Sequence, residues 1–156
     1  MLYIAVVGGA KCTEDEYNLA FSVGMEIARQ KAVLVCGGGS GVMEAAAKGV
    51  YQRGGTTIGI LPGESNQSGN RYLAYTIATG IGEARNAIIA RTADAVIAVG
   101  GEYGTLSEMA LALKMGKPVI GLKSWFLIAP GPLDKKVQKA DTANAAVEKA
   151  ISLIAN

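Results

Sequence analysis

Val96-Ile-Ala-Val-Gly-Gly-Glu-Tyr-Gly-Thr-Leu-Ser-Glu108 holds the key to the fold. A short apolar run breaks into glycines, and the glycines open directly into a segment with helical character. A strand that turns sharply into a helix leaves the first backbone N–H groups of the helix without internal partners. Glycine lets a ligand approach them closely, so such a turn suits an anion, above all a phosphate.

The same unit recurs along the chain. Apolar runs at 2–7, 32–36, 56–61, 72–78, 95–99 and 118–122 are continuous rather than alternating, as expected of strands buried on both faces of a parallel sheet. Between them lie helical patterns. Tyr17, Ala20, Phe21, Gly24, Ile27 and Ala28 share one face, and Val42, Ala46, Gly49 and Val50 another. A short Ala/Ile-rich segment covers 83–92. Leu106, Met109, Ala110 and Leu113 follow, and a last helix is expected over 142–155. This alternation predicts an α/β chain with right-handed crossovers: a Rossmann-like three-layer sandwich on a parallel sheet of about six strands. The two-halved Rossmann strand order is the expected one. Two polar stretches, 62–71 and 129–134, interrupt the series. The first follows a strand and is read either as a pocket wall or as a solvated connector.

Composition narrows the class. The 156 residues make about one domain, read here as a single Rossmann-like nucleotide-binding domain over 1–156. Half are apolar and 18% charged, with a formal charge of +2 and no basic cluster, which argues against a nucleic-acid partner. No apolar run reaches the ~20 residues of a membrane span, and the N-terminus has no signal-peptide pattern, so a cytoplasmic protein without membrane association is expected. So apolar a composition implies a surface covered by a second subunit. There is no histidine, which removes Ser-His-Asp and Cys-His catalysis and most transition-metal sites. No metal ligands are expected, and acid–base chemistry falls to carboxylates, Lys, Tyr or Arg. Cys12 and Cys36 fit no metal or redox motif, and Cys36 reads as a small core residue.

Glycines punctuate four of the six strand ends. They are Gly8-Gly9, the run Gly37-Gly38-Gly39-Ser40-Gly41, Gly80-Ile-Gly82, and Gly100-Gly101 with Gly104. In a parallel sheet these ends share one edge, where ligands bind as the strand order reverses. The Walker pattern GxxxxGK[ST] is absent, and a GxGxxG reading of the second turn fails at Val42 and lacks its downstream acid. The phosphate-binding set expected around these turns is Gly8, Gly9, Lys11, Gly38, Gly39, Ser40, Gly41, Arg85, Gly100, Gly101, Tyr103 and Gly104. Arg85 lies just after Gly82, where a guanidinium can pair bidentately with phosphate or carboxylate. Thr105 and Glu108 also have capping-box spacing, as do Thr13 and Glu16.

Gly37-Gly-Gly-Ser-Gly-Val-Met-Glu44, with Arg85, Ala93-Asp94 and Gly101-Glu-Tyr-Gly-Thr-Leu-Ser-Glu108, resembles the LONELY GUY-type superfamily, many of whose members were once labelled lysine decarboxylases. The resemblance runs from about residue 4 to 122, and is strongest to the small branch that includes molybdenum-cofactor carrier proteins. It implies a homodimer or homotetramer and a small phosphorylated ligand: a nucleoside monophosphate, phosphate or a molybdopterin-type molecule, with no cofactor required. In the enzymatic branch it implies cleavage of the N-glycosidic bond of nucleoside 5′-monophosphates, with Glu108 and Arg85 as the catalytic pair and Thr105 on the phosphate. Lysine decarboxylation is not expected, since no lysine sits in a setting for a pyridoxal Schiff base. The family's PGG stands here as Gly100-Gly101-Glu102, which places a carboxylate on the phosphate-cradling turn. At an effective dielectric of ~20 its repulsion of an anion a few Å away is about 1–4 kcal/mol, unless a cation such as Lys11 pairs with it. Ligand binding is therefore favoured over hydrolysis, with a ligand-free structural or partner-binding subunit as the third reading.

Overall fold

Helices α1 (Glu14–Arg29), α2 (Val42–Gln52), α3 (Asn86–Thr92), α4 (Tyr103–Lys114) and α5 (Ala143–Ile154) flank a single sheet. The computed structural model describes residues 1–127 and 137–155, so the polar stretch at 129–134 lies outside the described residues. The strands are β1 (Tyr3–Gly8), β2 (Val33–Cys36), β3 (Thr56–Leu61), β4 (Tyr75–Ala78), β5 (Ala95–Val99), β6 (Val119–Leu122) and β7 (Gln138–Lys139). All pair in parallel, in the order β4-β3-β2-β1-β5-β6-β7. The chain steps outward from β1 to β4, then returns to the other side of β1 and steps outward again. This is the two-halved arrangement expected from the sequence, and its reversal falls between β1 and β5.

Alternate strand residues feed opposite cores. Ile4, Val6, Ile97 and Val99 pack beneath α1, α2 and α5. Ala5, Val7, Val96 and Ala98 pack beneath α3 and α4. Burial on both faces explains why the central strands read as unbroken apolar runs. Cys36 is fully buried at the end of β2, as a small core residue should be, and burial pushes its thiol up to about 11. No helix among the described residues is long and apolar enough to cross a membrane.

The parallel sheet of about six strands is present with seven; the seventh, β7, is two exposed polar residues with no apolar signature. One expectation needs correction. The run at 72–78 is not buried on both faces. Only Tyr75–Ala78 is strand, and it forms an edge with Tyr75 63% and Ile77 50% exposed. Tyr75 and Ile77 sit beside Ile58 and Ile60 in register, on the α3/α4 face. The β3–β4 connection contains only a 3-10 turn at Asn66–Ser68, so it carries no helix across that face.

Candidate functional site

All strand C-termini point to one edge, and a cleft of about 400 Å³ opens there beside the β1/β5 reversal. Gly8, Gly9 and Ala10 form one wall and Met43 of α2 another. Pro62 after β3 and Glu83, Arg85 and Asn86 at the entrance to α3 form a third. The first turns of α4 close the cleft with Glu102, Gly104, Thr105 and Glu108.

Arg85 and Glu108 lie at its buried end, with side chains only 14% and 8% exposed and Nη1 3.7 Å from Oε1. Arg85 Nη1 also donates to Asn86 Oδ1, and Nη2 reaches the Gly37 carbonyl at 3.5 Å. Its Nε is buried and has no hydrogen-bond partner among the described residues. Gly37 makes this packing possible. A Cβ there would stand 2.8 and 2.9 Å from the two terminal guanidinium nitrogens. Asn86 continues the chain of contacts, donating from Nδ2 to Ser107 Oγ (3.3 Å), while Ser107 Oγ donates to the Gly104 carbonyl (2.6 Å). The start of α3 is thereby tied to the start of α4.

Burial pushes the Glu108 carboxyl up to about 7, with the Arg85 charge pulling the other way. At neutral pH the carboxyl is therefore divided between its protonated and ionised forms, and it only partly offsets the buried guanidinium. A group with this titration range, in a cleft, suits either proton transfer or anion contact.

Thr105 and Glu108 do not form the capping box their spacing allows. The α4 ladder begins with Leu106 N–H donating to Glu102 O, so Glu102 is the N-cap and Thr105 already lies inside the helix. Both side chains are buried instead. The N–H groups of Tyr103, Gly104 and Thr105 precede the ladder, the arrangement that favours an anion at a helix start. The other candidate box does form: Thr13 Oγ1 accepts from Glu16 N, and Glu16 Oε2 accepts from Thr13 N. The turn before α4 is held from behind, with Ser124 Oγ donating to Gly100 O (2.6 Å) and Trp125 Nε1 to Glu102 O (3.2 Å).

Of the residues expected from sequence, the cleft gathers Gly8, Gly9, Arg85, Gly104, Thr105 and Glu108. Gly38, Gly39, Ser40 and Gly41 are not among its lining residues. The Gly38 and Gly39 carbonyls accept from the Asn70 N–H and Nδ2, and Ser40 Oγ donates to Ala10 O. The 62–71 stretch thus supplies both a lining residue, Pro62, and a brace for the glycine run. Gly100 and Gly101 adopt positive φ to shape the turn, and Gly101 packs on the Thr105 side chain. Tyr103 is exposed and stacks near Trp125, with centroids 5.9 Å apart. Lys11 is exposed and forms no ion pair with Glu102 among the described residues. Met43, Glu83 and Asn86 enter the cleft without a sequence motif that marks them. Asn86 directly follows Arg85, but adjacency in sequence says nothing about two side chains meeting in a cleft.

A family description, the SLOG cluster4 family, matches residues 1–152. Among solved structures, the molybdenum cofactor binding protein of Rippkaea orientalis superimposes with a TM-score of 0.89 at 36% identity, covering 98% of this chain and 97% of that one. The molybdenum cofactor carrier protein of Chlamydomonas reinhardtii does so with a TM-score of 0.86 at 34% identity, over 100% of both. An uncharacterised protein of Archaeoglobus fulgidus is 47% identical over 123 residues, 79% of this chain and 81% of its own length. A cytokinin riboside 5′-monophosphate phosphoribohydrolase of Arabidopsis thaliana is 34% identical over 106 residues, 65% of this chain but only 45% of that enzyme.

Proposed function

The chain belongs to the SLOG cluster4 family, and on that premise we propose that it binds a small phosphorylated organic molecule in the cleft between the starts of α3 and α4. The ligand is of the molybdopterin or nucleoside-monophosphate type. One observation carries this reading: the buried Arg85 guanidinium, with Nε unpartnered, faces a carboxyl that is only partly ionised at neutral pH. A buried cation so incompletely neutralised is costly until an anion meets it. The N–H groups that precede the α4 hydrogen-bond ladder favour the same ligand charge. The names of the Rippkaea and Chlamydomonas relatives support a molybdenum-cofactor type of ligand.

Calorimetric titration with inorganic phosphate, ribose 5-phosphate, AMP and molybdopterin tests the proposal. Wild type is expected to bind at least one phosphorylated organic ligand, and Arg85→Met to weaken it at least tenfold. A wild type that binds none of them overturns the reading.

Glu108 supports a second reading, hydrolysis of the N-glycosidic bond of a nucleoside 5′-monophosphate. Water would add to the anomeric carbon as the C–N bond breaks; the Glu108 carboxylate would stabilise the oxocarbenium-like state, take the water's proton and pass it to the nitrogen of the departing base. Release of free base from AMP that vanishes in Glu108→Gln would establish it; intact AMP after prolonged incubation would reject it. The exposed Tyr75, Ile77, Ile81 and Ile88 favour a homodimer or homotetramer in either case, measurable by light scattering.

A further inference from the structure

The cleft holds more negative than positive groups. Besides Arg85 and Glu108 at its buried end, Glu83 and Glu102 stand exposed along its lining, and neither forms an ion pair among the described residues. A carboxylate only accepts hydrogen bonds, so it cannot serve a phosphate and repels one nearby. Glu102 is placed so that the conflict is not easily relieved. Its carbonyl accepts from Trp125 Nε1, the Gly100 carbonyl two residues earlier accepts from Ser124 Oγ, and its own side chain makes no capping bond to α4. Its backbone is thus pinned beside the cleft with the carboxylate uncommitted.

Resting on the phosphorylated-ligand reading above, we infer that Glu102 is a specificity residue, accepting a pair of adjacent N–H donors from the ligand's heterocycle while Arg85 meets its phosphate. Two parallel donors match the two oxygens of a carboxylate, the fork geometry that makes such contacts strong. The ring class that offers them is the 2-amino-4-oxo pyrimidine-fused heterocycle, whose ring N–H and exocyclic amino group lie side by side. Guanine and the pterins both have this edge. Hypoxanthine keeps the ring N–H but lacks the amino group. Adenine turns a ring nitrogen acceptor towards the carboxylate and is disfavoured further.

The experiment titrates wild type, Glu102→Gln and Glu83→Gln with GMP, IMP, AMP and ribose 5-phosphate. A 6-substituted pterin phosphate and its 2-oxo (lumazine) counterpart form a second pair. Wild type is expected to prefer GMP over IMP, or the pterin over the lumazine, by about tenfold or more, and whichever pair shows the larger ratio identifies the ring. Glu102→Gln should shrink that ratio to within about threefold. It should also tighten ribose 5-phosphate severalfold, because a repelling charge has gone. That opposite movement separates recognition from a structural role, which would weaken every ligand together. Ligands that bind without 2-amino preference overturn the inference and leave the binding reading standing. A preference lost in Glu83→Gln and kept in Glu102→Gln overturns the assignment to Glu102. No binding of any ligand overturns both.

Discussion

Glu108 makes the stability of the unliganded protein depend on pH in a direction unusual for a carboxylate. The perturbation is pH itself, with Glu108→Gln as the reference that keeps the shape and removes the titration. In the unfolded chain the carboxyl titrates at about 4.5, whereas burial in the folded protein holds it to about 7. Between these values the folded state keeps a proton that the unfolded state has released, so stability falls as pH rises. The contribution is fully present below 4.5 and lost as pH passes through about 7. At 1.36 kcal/mol per pH unit, the displacement from 4.5 to about 7 amounts to about 3 kcal/mol. Because the side chain is only 8% exposed, little of this is screened by solvent. Urea unfolding of wild type and Glu108→Gln from pH 4 to 8.5 gives a difference curve free of every other titrating group. Wild type should lose about 3 kcal/mol relative to the variant across that range. Arg85→Met should move the midpoint of the fall upward, since Arg85 is the group that opposes the rise. A difference curve that is flat, or that climbs with pH, would refute the reasoning. It would mean that the ion pair with Arg85 outweighs the cost of burying the charge.

Further outcomes follow from particular contacts. Gly37→Ala puts a methyl group within 3 Å of the Arg85 guanidinium and of Met43 Sδ. It should weaken phosphorylated ligands at least tenfold and cost about 1–3 kcal/mol in stability, read by titration and by urea unfolding. Thr13→Ala removes one half of the capping box that starts α1. About 1 kcal/mol of stability should be lost, with ligand affinity unchanged. Trp125 is the sole tryptophan and is bonded to the Glu102 carbonyl on the turn beside the cleft. Its fluorescence should therefore change on ligand binding, and this response should diminish in Ser124→Ala, which frees the Gly100 carbonyl of the same turn.

The parallel sheet and its glycine-rich edge were legible because their signals are local. An unbroken apolar run such as Ala95–Val99 states that both faces are covered, and the glycines after it state that the chain must turn tightly. Thr13 and Glu16 were legible for the same reason, since a capping box needs only residues three apart in sequence. The edge strand misled because Tyr75–Ala78 is as apolar as a central strand. Its exposure depends on which element happens to cover it. Sequence pattern carries no information about a helix that a neighbouring crossover lacks.

The α/β class, the common edge of glycine turns, and Arg85 and Glu108 as candidate site residues can all be read from the order of amino acids. What those side chains touch depends on how distant segments pack. The spacing of Thr105 and Glu108 serves a helix cap or a buried helix face equally well. The choice depends on where the hydrogen-bond ladder begins, and it begins at Glu102, on a turn held from behind by Ser124 and Trp125 some twenty residues downstream. In the same way Arg85 meets Glu108, Asn86 and Gly37 because three separate strand ends converge at one reversal of the sheet. Burial then sets the charge state of Glu108, and burial belongs to the whole fold rather than to any segment of it.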